Sequence, residues 1–124
     1  MGLLLDTHVV LWWLADDPAL PDEVKGRLDH EPDVYVSAAT IWEVATKQAI
    51  GKLPEPAGLP ELIRDCGFAE LPISSRHAMA AARLPLIHRD PFDRMLIAQA
   101  RDEGLTLVTR DPRCQGYEVA VLPV

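Results

Sequence analysis

Short apolar segments alternate with helix-like segments along the whole chain, and this alternation constrains the fold more than any other feature. Residues 2–5 form a continuous apolar run, as expected of a strand that is buried on both faces. Further strands are predicted at residues 34–36, 70–73, 105–109 and 118–122. Helices of ordinary length separate these strands, so the sequence predicts an α/β domain with a mostly parallel sheet.

Helix boundaries are marked by capping residues and by Gly or Pro. Ser37 can cap a helix that Gly51 stops, and Asp90 with Pro91 can start the last helix. The predicted helices cover residues 7–15, 21–30, 38–50 and 59–66, a segment from Ser74 or Ser75 to Leu84, and residues 91–104. A chain of 124 residues can form one hydrophobic core but not two, so residues 1–124 are predicted to be a single domain.

Four carboxylates stand near predicted strand ends and helix starts, far apart along the chain: Asp6, Glu43, Asp93 and Asp111. In an open parallel sheet the carboxyl ends of the strands share one edge, so these side chains can converge there. Like charges gathered in one crevice repel each other unless a cation is bound between them. Ligand sets made of oxygen alone suit Mg²⁺ or Mn²⁺ rather than zinc, so the sequence predicts a site for one of these ions.

Each acid also has a structural alternative. Asp6 is placed to cap the first helix, and Asp111 precedes Pro112 and can belong to a turn. Asp90 fits the cap of the last helix, and we favour that structural role for it. Asp93 heads the apolar stripe of the same helix, where a carboxylate without a partner would be costly to bury.

Glu43 is the weakest candidate by periodicity. Ala38, Trp42, Ala45 and Ala49 mark the apolar face of its helix, and Glu43 lies opposite, four residues before Lys47. Exposed helix pairs with this spacing are common, so the pattern fits a surface ion pair as well as a site residue.

The net charge of −7 argues at first against a nucleic-acid partner. The basic residues are unevenly distributed, however: residues 63–124 contain eight acidic and eight basic side chains, and every one of these basic residues is Arg. An acidic protein can bind phosphate if metal neutralises its carboxylates and Arg surrounds the pocket. Arg89, Arg94 and Arg110 flank the acids and either contact phosphates or balance neighbouring carboxylates.

Other residue types give weaker signals. The four histidines show no metal-ligand spacing and are expected to be structural or solvated. Trp12 and Trp13 are expected to pack in the core or in a dimer rather than to stack on bases. Cys66 and Cys114 indicate neither a disulfide framework nor a zinc site. The amino-terminal segment lacks the pattern of a signal peptide or membrane span, so a cytoplasmic protein is expected.

Four segments resemble, in order, the successive motifs of PIN-domain ribonucleases of the VapC toxin type. They are Leu-Leu-Leu-Asp-Thr-His at 3–8, Ser-Ala-Ala-Thr-Ile-Trp-Glu-Val at 37–44 followed by Lys47 and Gly51-Lys52-Leu53, Asp-Pro-Phe-Asp-Arg-Met-Leu-Ile-Ala-Gln-Ala at 90–100, and Leu-Val-Thr-Arg-Asp at 107–111. The resemblance runs over nearly the whole chain.

The resemblance implies a three-layer α/β/α sandwich with about five strands and Mg²⁺- or Mn²⁺-dependent endonucleolytic cleavage of RNA. It also implies neutralisation by a cognate VapB-type antitoxin and assembly as a homodimer. Carried over by motif, the metal-binding and catalytic acids are Asp6, Glu43, Asp93 and Asp111. Thr109 is implied as a polar neighbour, and Asp90 lies inside a matched motif as a less certain ligand.

Two other classes of function remain as alternatives. A phosphatase that uses Asp6 as a nucleophile, as haloacid dehalogenases do, would need a second Asp two residues later, where His8 stands. A catalytically silent RNA- or protein-binding module would keep the fold while losing an acid, whereas this chain has all four.

Overall fold

A five-stranded parallel sheet forms the centre of the computed structural model, which describes residues 2–52 and 58–124. Its strands are β1 (Leu3–Leu5), β2 (Val34–Ser37), β3 (Ala69–Leu71), β4 (Thr106–Thr109) and β5 (Val121–Pro123). They lie in the order β3-β2-β1-β4-β5, and every neighbouring pair is parallel. The predicted α/β class with a parallel sheet of about five strands is therefore confirmed. Leu53, the last residue of the Gly51-Lys52-Leu53 motif, lies outside the described residues.

The helices follow the predicted segments closely. They are α1 (Thr7–Leu14), α2 (Asp22–His30), α3 (Ala38–Ala49), α4 (Leu59–Asp65), α5 (Ser75–Arg83) and α6 (Pro91–Glu103). Three of the expected caps are present: Ser37 accepts from the backbone N–H of Ala39, Ser74 from that of His77, and Asp90 from that of Phe92. Within the described part of the chain, no helix is long and apolar enough to cross a bilayer.

The sequence predicts one hydrophobic core, but apolar side chains form two cores, one on each face of the sheet that lies between them. Leu3 and Leu5 point into one core, which α1, α2 and α4 cover. Leu4, between them, points into the other core, beneath α5 and α6. This alternation follows from the period of two along a strand. It produces three layers, as the resemblance implied.

The chain order places a topological switch point at the centre of the sheet. From β1 the chain builds outward through β2 to β3, and it then returns to place β4 on the other side of β1. Ligands of open α/β sheets bind in the crevice at such a point, beyond the carboxyl ends of the strands. Asp6 follows β1 directly, and Asp111 lies two residues beyond β4, so both stand at this crevice.

One predicted strand is wrong in position. The last strand is Val121–Pro123 rather than residues 118–122, and it follows a 3₁₀ helix at Pro112–Gly116 and a bend at residues 117–119. Asp111 caps that helix by accepting a hydrogen bond from the backbone N–H of Arg113. The strand therefore begins later in the sequence than predicted, after the 3₁₀ helix that starts next to Asp111.

The apolar face predicted for α3 is also wrong. Ala45, Ala49 and Trp42 are exposed, and Trp42 is 61% accessible to solvent. The buried face instead contains Ala39, Thr40, Glu43 and Val44. The cause is a polar contact at the carboxyl edge of the sheet, where Thr7 of α1 lies 3.1 Å from Thr40 and 2.8 Å from Glu43.

Candidate active site

A cavity of about 540 Å³ opens at the crevice beyond β1 and β4. Three of the four predicted acids, Asp6, Asp93 and Asp111, line it together with Asp90. They come from the end of β1, the first turn of α6 and the segment after β4. The structure therefore brings together side chains that are up to 105 positions apart in the sequence.

Asp6 is the most deeply placed of these acids, with 7% of its surface exposed. It occupies the cap position of α1, but its side chain makes no capping hydrogen bond. Its Oδ2 accepts a hydrogen bond from the hydroxyl of Thr109 at 2.5 Å. Its Oδ1 is buried and has no hydrogen-bond partner within the described residues. A buried carboxylate oxygen without a partner is costly, and a bound cation would remove that cost.

Asp93 and Asp111 are joined by His88, which the sequence analysis missed. The imidazole is 1% exposed, and its Nδ1 accepts from the backbone N–H of Asp90. The proton must therefore be on Nε2. This N–H lies 3.0 Å from Oδ2 of Asp93 and 2.8 Å from Oδ2 of Asp111, so it bridges the two carboxylates. No spacing rule could have found His88, because its role arises only from tertiary contacts.

The convergence of the acids affects the pKa of Asp93. Burial raises the pKa of its carboxyl to about 7, with further contributions from the charges of Asp6, Asp90, Glu43 and Asp111. A carboxyl that keeps its proton near neutrality marks a place where negative charge is crowded. This crowding fits a site for a divalent cation.

Asp111 has the opposite character. Burial acts to raise its pKa, but hydrogen bonds from Arg113 and His88 outweigh burial and lower the pKa to about 2. The Arg113 guanidinium binds both carboxylate oxygens, with Nε 3.1 Å from Oδ1 and Nη2 3.0 Å from Oδ2. Bidentate pairs of this kind fix a carboxylate firmly. The sequence analysis did not single out Arg113.

Glu43 lies behind the cavity rather than on its wall. It is 4% exposed, so the alternative of a surface ion pair is wrong, although the pairing with Lys47 is present. Oε1 of Glu43 accepts from Thr7 at 2.8 Å, and Oε2 accepts from Nζ of Lys47 at 2.6 Å. Glu43 is close enough to the other acids to contribute to the raised pKa of Asp93.

The remaining accessory candidates have different surroundings. Thr109 contacts Asp6 as a polar neighbour. The guanidinium of Arg94 donates to the carbonyl oxygens of residues 81, 84, 85 and 88, so it ties the end of α5 to the loop that follows and is not free to bind phosphate. Arg89 is exposed, and its contact with phosphate stays a prediction. Arg110 lines the cavity and lies over the indole of Trp12.

A second group of possible ligands lies outside this cavity but has a structural role. His77 contacts Glu103 at 2.9 Å and Asp102 at 3.3 Å through Nε2. Its Nδ1 accepts from the backbone N–H of Ser74 in a capping box, so Nε2 carries the proton and cannot ligate a cation. Arg76 already balances both carboxylates.

The residues around the cavity fit a divalent cation. The buried, unpartnered Oδ1 of Asp6 would supply an oxygen ligand, and the crowded carboxyl of Asp93 would supply another. A carboxylate oxygen of Asp93 and one of Asp111 lie within 4.8 Å of each other. Because Nε2 of His88 is protonated and donating, the available ligands are oxygens, which suit a hard cation.

We expect the metal-free protein to lose thermal stability as the pH rises from about 5 to about 8. The pKa of Asp93 rises from 3.8 in the unfolded chain to about 7 on folding, so the folded state binds the extra proton between these values. Stability is therefore highest at the acidic end of this window and falls as Asp93 ionises. After a discount for solvent screening, the loss is on the order of 1–2 kcal/mol, or roughly 3–8 °C in Tm.

Thermal melts in chelator across this pH range check the prediction. The control is Asp93→Asn, which keeps an oxygen acceptor for His88 but carries no charge. Its melting temperature should depend less on pH and should exceed that of the wild type at pH 8. A variant that keeps the full wild-type slope would show that Asp93 does not cause it.

Comparisons with known proteins agree with this geometry. Residues 3–119 match the PIN domain family. Ribonuclease VapC22 of Mycobacterium tuberculosis is 31% identical in an alignment 123 positions long, which spans 93% of this chain and 91% of that protein. The crystal structure of VapBC2 from Rickettsia felis, bound to a DNA fragment from their promoter, contains a similar chain with a TM-score of 0.75. That chain is 13% identical, with 99% of this chain and 98% of that chain covered.

The crystal structure of FitAcB from Neisseria gonorrhoeae also contains a similar chain, with a TM-score of 0.64 and 24% identity over 97% of this chain and 96% of that chain. At these identities the solved structures establish the fold alone. The match to the PIN domain and the identity to a VapC ribonuclease extend over nearly the whole length. The chain therefore belongs to the PIN-domain family, among the VapC ribonucleases.

Proposed function

We propose that this protein is a metal-dependent endoribonuclease and the toxin of a toxin–antitoxin pair. The observation that carries the proposal is the buried, unpartnered oxygen of Asp6 at a cavity that Asp93 and Asp111 also line. The relative in Mycobacterium tuberculosis is named a ribonuclease, which makes RNA the substrate we propose here. An oxygen-only ligand set favours Mg²⁺ or Mn²⁺ as the cofactor.

In the proposed mechanism, Asp6, Asp93 and Asp111 would hold the cation. A divalent cation held there would lower the pKa of water and stabilise the charge that develops on a phosphodiester during hydrolysis. Asp93 would release to solvent the proton that it holds near neutrality, because its carboxylate would then be balanced. His88 and Arg113 keep the carboxylate of Asp111 in a fixed orientation.

We propose a supporting role for Glu43 and Lys47. Lys47 neutralises Glu43, and the hydrogen bond between them is the largest cause of the raised pKa of Lys47. The charges of Asp90 and Asp93 also raise this pKa, so Lys47 lies near those acids as well. Glu43 would help to hold the cation, and its Oε2 would become available to do so if Lys47 moved away. Asp90 remains chiefly a helix cap in this proposal.

The partner we propose is a cognate VapB-type antitoxin, with a homodimer as the working state of the toxin. Solved relatives include a toxin–antitoxin complex from Klebsiella pneumoniae, which is 21% identical. This chain exposes large apolar side chains, among them Trp42, Ile50 and Leu86, that a protein partner would cover. We propose a cytoplasmic location, where RNA and a co-expressed antitoxin are available.

The test is cleavage of total cellular RNA by the purified protein, with mapping of the new RNA ends. We expect discrete ends with Mn²⁺ or Mg²⁺, loss of cutting in excess EDTA, and recovery when excess Mn²⁺ is added back. The antitoxin encoded beside the gene should suppress cutting at a one-to-one ratio. Undiminished cleavage in EDTA, or no cleavage with either ion, would rule out the proposed activity.

A further inference from the structure

Trp12 and Arg110 form a fixed cation–aromatic pair on the wall of the active-site cavity. The guanidinium carbon of Arg110 lies 4.5 Å from the centroid of the Trp12 ring. Its Nε donates to the carbonyl oxygen of Val124 at 2.9 Å, and its Nη2 donates to that of Ala19. Three contacts therefore hold the plane of the guanidinium in one orientation. A residue held in this way is ready to bind without further ordering.

The pair is next to the acids. Both side chains line the same cavity as Asp6 and Asp93, and Arg110 directly precedes Asp111. His8, one helical turn before Trp12, lines it as well, with its ring centroid 5.9 Å from that of Trp12. One part of the cavity is therefore anionic, and another part is aromatic and cationic.

The two arginines of the cavity have different partners. Arg113 binds the side-chain carboxylate of Asp111, whereas the described contacts of Arg110 are an indole face and the main-chain oxygens of Ala19 and of the terminal residue Val124. The side chain of Arg110 is exposed and Trp12 is half-buried, so both remain accessible from the cavity. Arg110 therefore keeps an exposed part of its guanidinium at a cavity whose acids are held by other groups.

We infer that Arg110 and Trp12 form a stacking platform for an unpaired base of the RNA beside the phosphate that is cut. This inference rests on the proposed function and adds to it a contact between these two side chains and one unpaired base of the RNA. Unpaired bases stack on aromatic rings and on guanidinium planes, and a guanidinium with one face on an indole offers its other face. Bases inside a duplex are already stacked and cannot reach such a platform. Trp12 also packs against the hydrophobic core, as the sequence predicts, and the platform adds a second role for it.

Binding is measured without cutting, in the Asp6→Asn background with Mn²⁺. One probe is a fluorescent 12-nucleotide oligo(A). The other is a hairpin RNA in which every base is paired except those of a short tetraloop. We expect Arg110→Lys and Trp12→Leu each to weaken binding of oligo(A) by roughly fivefold to a hundredfold, as for the loss of one stacked base. Trp12→Phe should restore most of the affinity, and the hairpin should be affected less than oligo(A).

Arg110→Lys is the decisive variant, because lysine keeps the positive charge but lacks the planar guanidinium on which a base can stack. If it binds oligo(A) as well as its parent, Arg110 attracts phosphate by charge alone and the stacking inference is wrong. Equal losses for oligo(A) and the hairpin would also overturn it. Arg101→Lys is the matched control, since Arg101 is exposed on α6 outside this cavity and the same substitution there should leave oligo(A) affinity unchanged.

Kinetics in the cutting protein separate this inference from the function on which it rests. Arg110→Lys should raise KM for a single-stranded substrate and leave kcat nearly unchanged. A wild type that cuts no RNA would refute the proposed function, whereas an active wild type with an unaltered Arg110→Lys KM would refute only the platform. Because Arg110 is exposed, we expect Arg110→Lys to fold normally. It therefore tests the stacking platform even if Trp12→Leu folds poorly.

Discussion

Asp6→Asn is expected to reduce RNA cleavage by roughly a thousandfold, because a bound metal contributes several kcal/mol to the transition state and about 1.4 kcal/mol is tenfold in rate. The same change should not lower the melting temperature of the metal-free protein. It removes a buried charge whose Oδ1 has no partner in the described chain, and asparagine still accepts the hydrogen bond from Thr109. Single-turnover cleavage and thermal melts measure the two effects.

The matched control is Asp65→Asn, the same substitution at an exposed position at the end of α4. It should cut RNA at the wild-type rate. If Asp6→Asn retained more than about a tenth of the activity, a loss of under about 1.4 kcal/mol, Asp6 would not be a metal ligand.

Replacing Asp93 by Ser should abolish cleavage to a similar degree, whereas Asp90→Ser should keep most of it. Asp90 accepts from the backbone N–H of Phe92, and Ser can serve as a cap in the same way. Asp93 instead faces the cavity as one of the crowded carboxylates. Cleavage rates and circular dichroism of both variants measure the contrast.

Asp90→Ala provides the reference for the cap. It should cost about 1 kcal/mol of stability, which Asp90→Ser avoids. Equal loss of activity in Asp90→Ser and Asp93→Ser, with both proteins folded, would show that Asp90 takes part in metal binding.

Local sequence signals predicted the elements that carry the site. Asp90, Pro91 and Gly104 define the two ends of α6, and each acts as its residue type suggests: a side-chain cap, a first-turn Pro and a left-handed terminus with φ of 67°. Since α6 starts where predicted, Asp93 falls in its first turn. The position of Asp6 was equally clear, because a buried strand must end before a charged residue.

Periodicity failed for α3 because the helix buries polar residues. Glu43 and Thr40 face Thr7 within the protein, while the large apolar Trp42 faces outward and packs edge-on against Phe92. A method that assumes buried residues are apolar therefore selects the opposite face. The distribution of the four acids made Glu43 a candidate, periodicity left it open, and the resemblance to a family favoured it as a site residue.

Residues that act through tertiary contacts gave no sequence signal. His88 bridges Asp93 and Asp111, which follow it by 5 and 23 positions, and neither distance is a known ligand spacing. Arg94 flanks an acid in the sequence, yet its guanidinium turns away to four carbonyl oxygens. Both cases depend on how the loop before α6 folds back onto the site, which local patterns do not encode.

The most direct test of the central claim is a Mn²⁺ titration of the metal-free protein, read by thermal melting and by calorimetric binding. Convergent carboxylates should bind the ion in the folded state alone, which stabilises it by about 2.7 kcal/mol at a hundredfold excess over Kd. Wild-type Tm should therefore rise with Mn²⁺, while Asp6→Asn should respond much less and Asp65→Asn should respond as the wild type does. A wild-type protein that neither binds Mn²⁺ nor gains stability at millimolar concentration would contradict the account, because Asp6, Asp93 and Asp111 would then be no metal site.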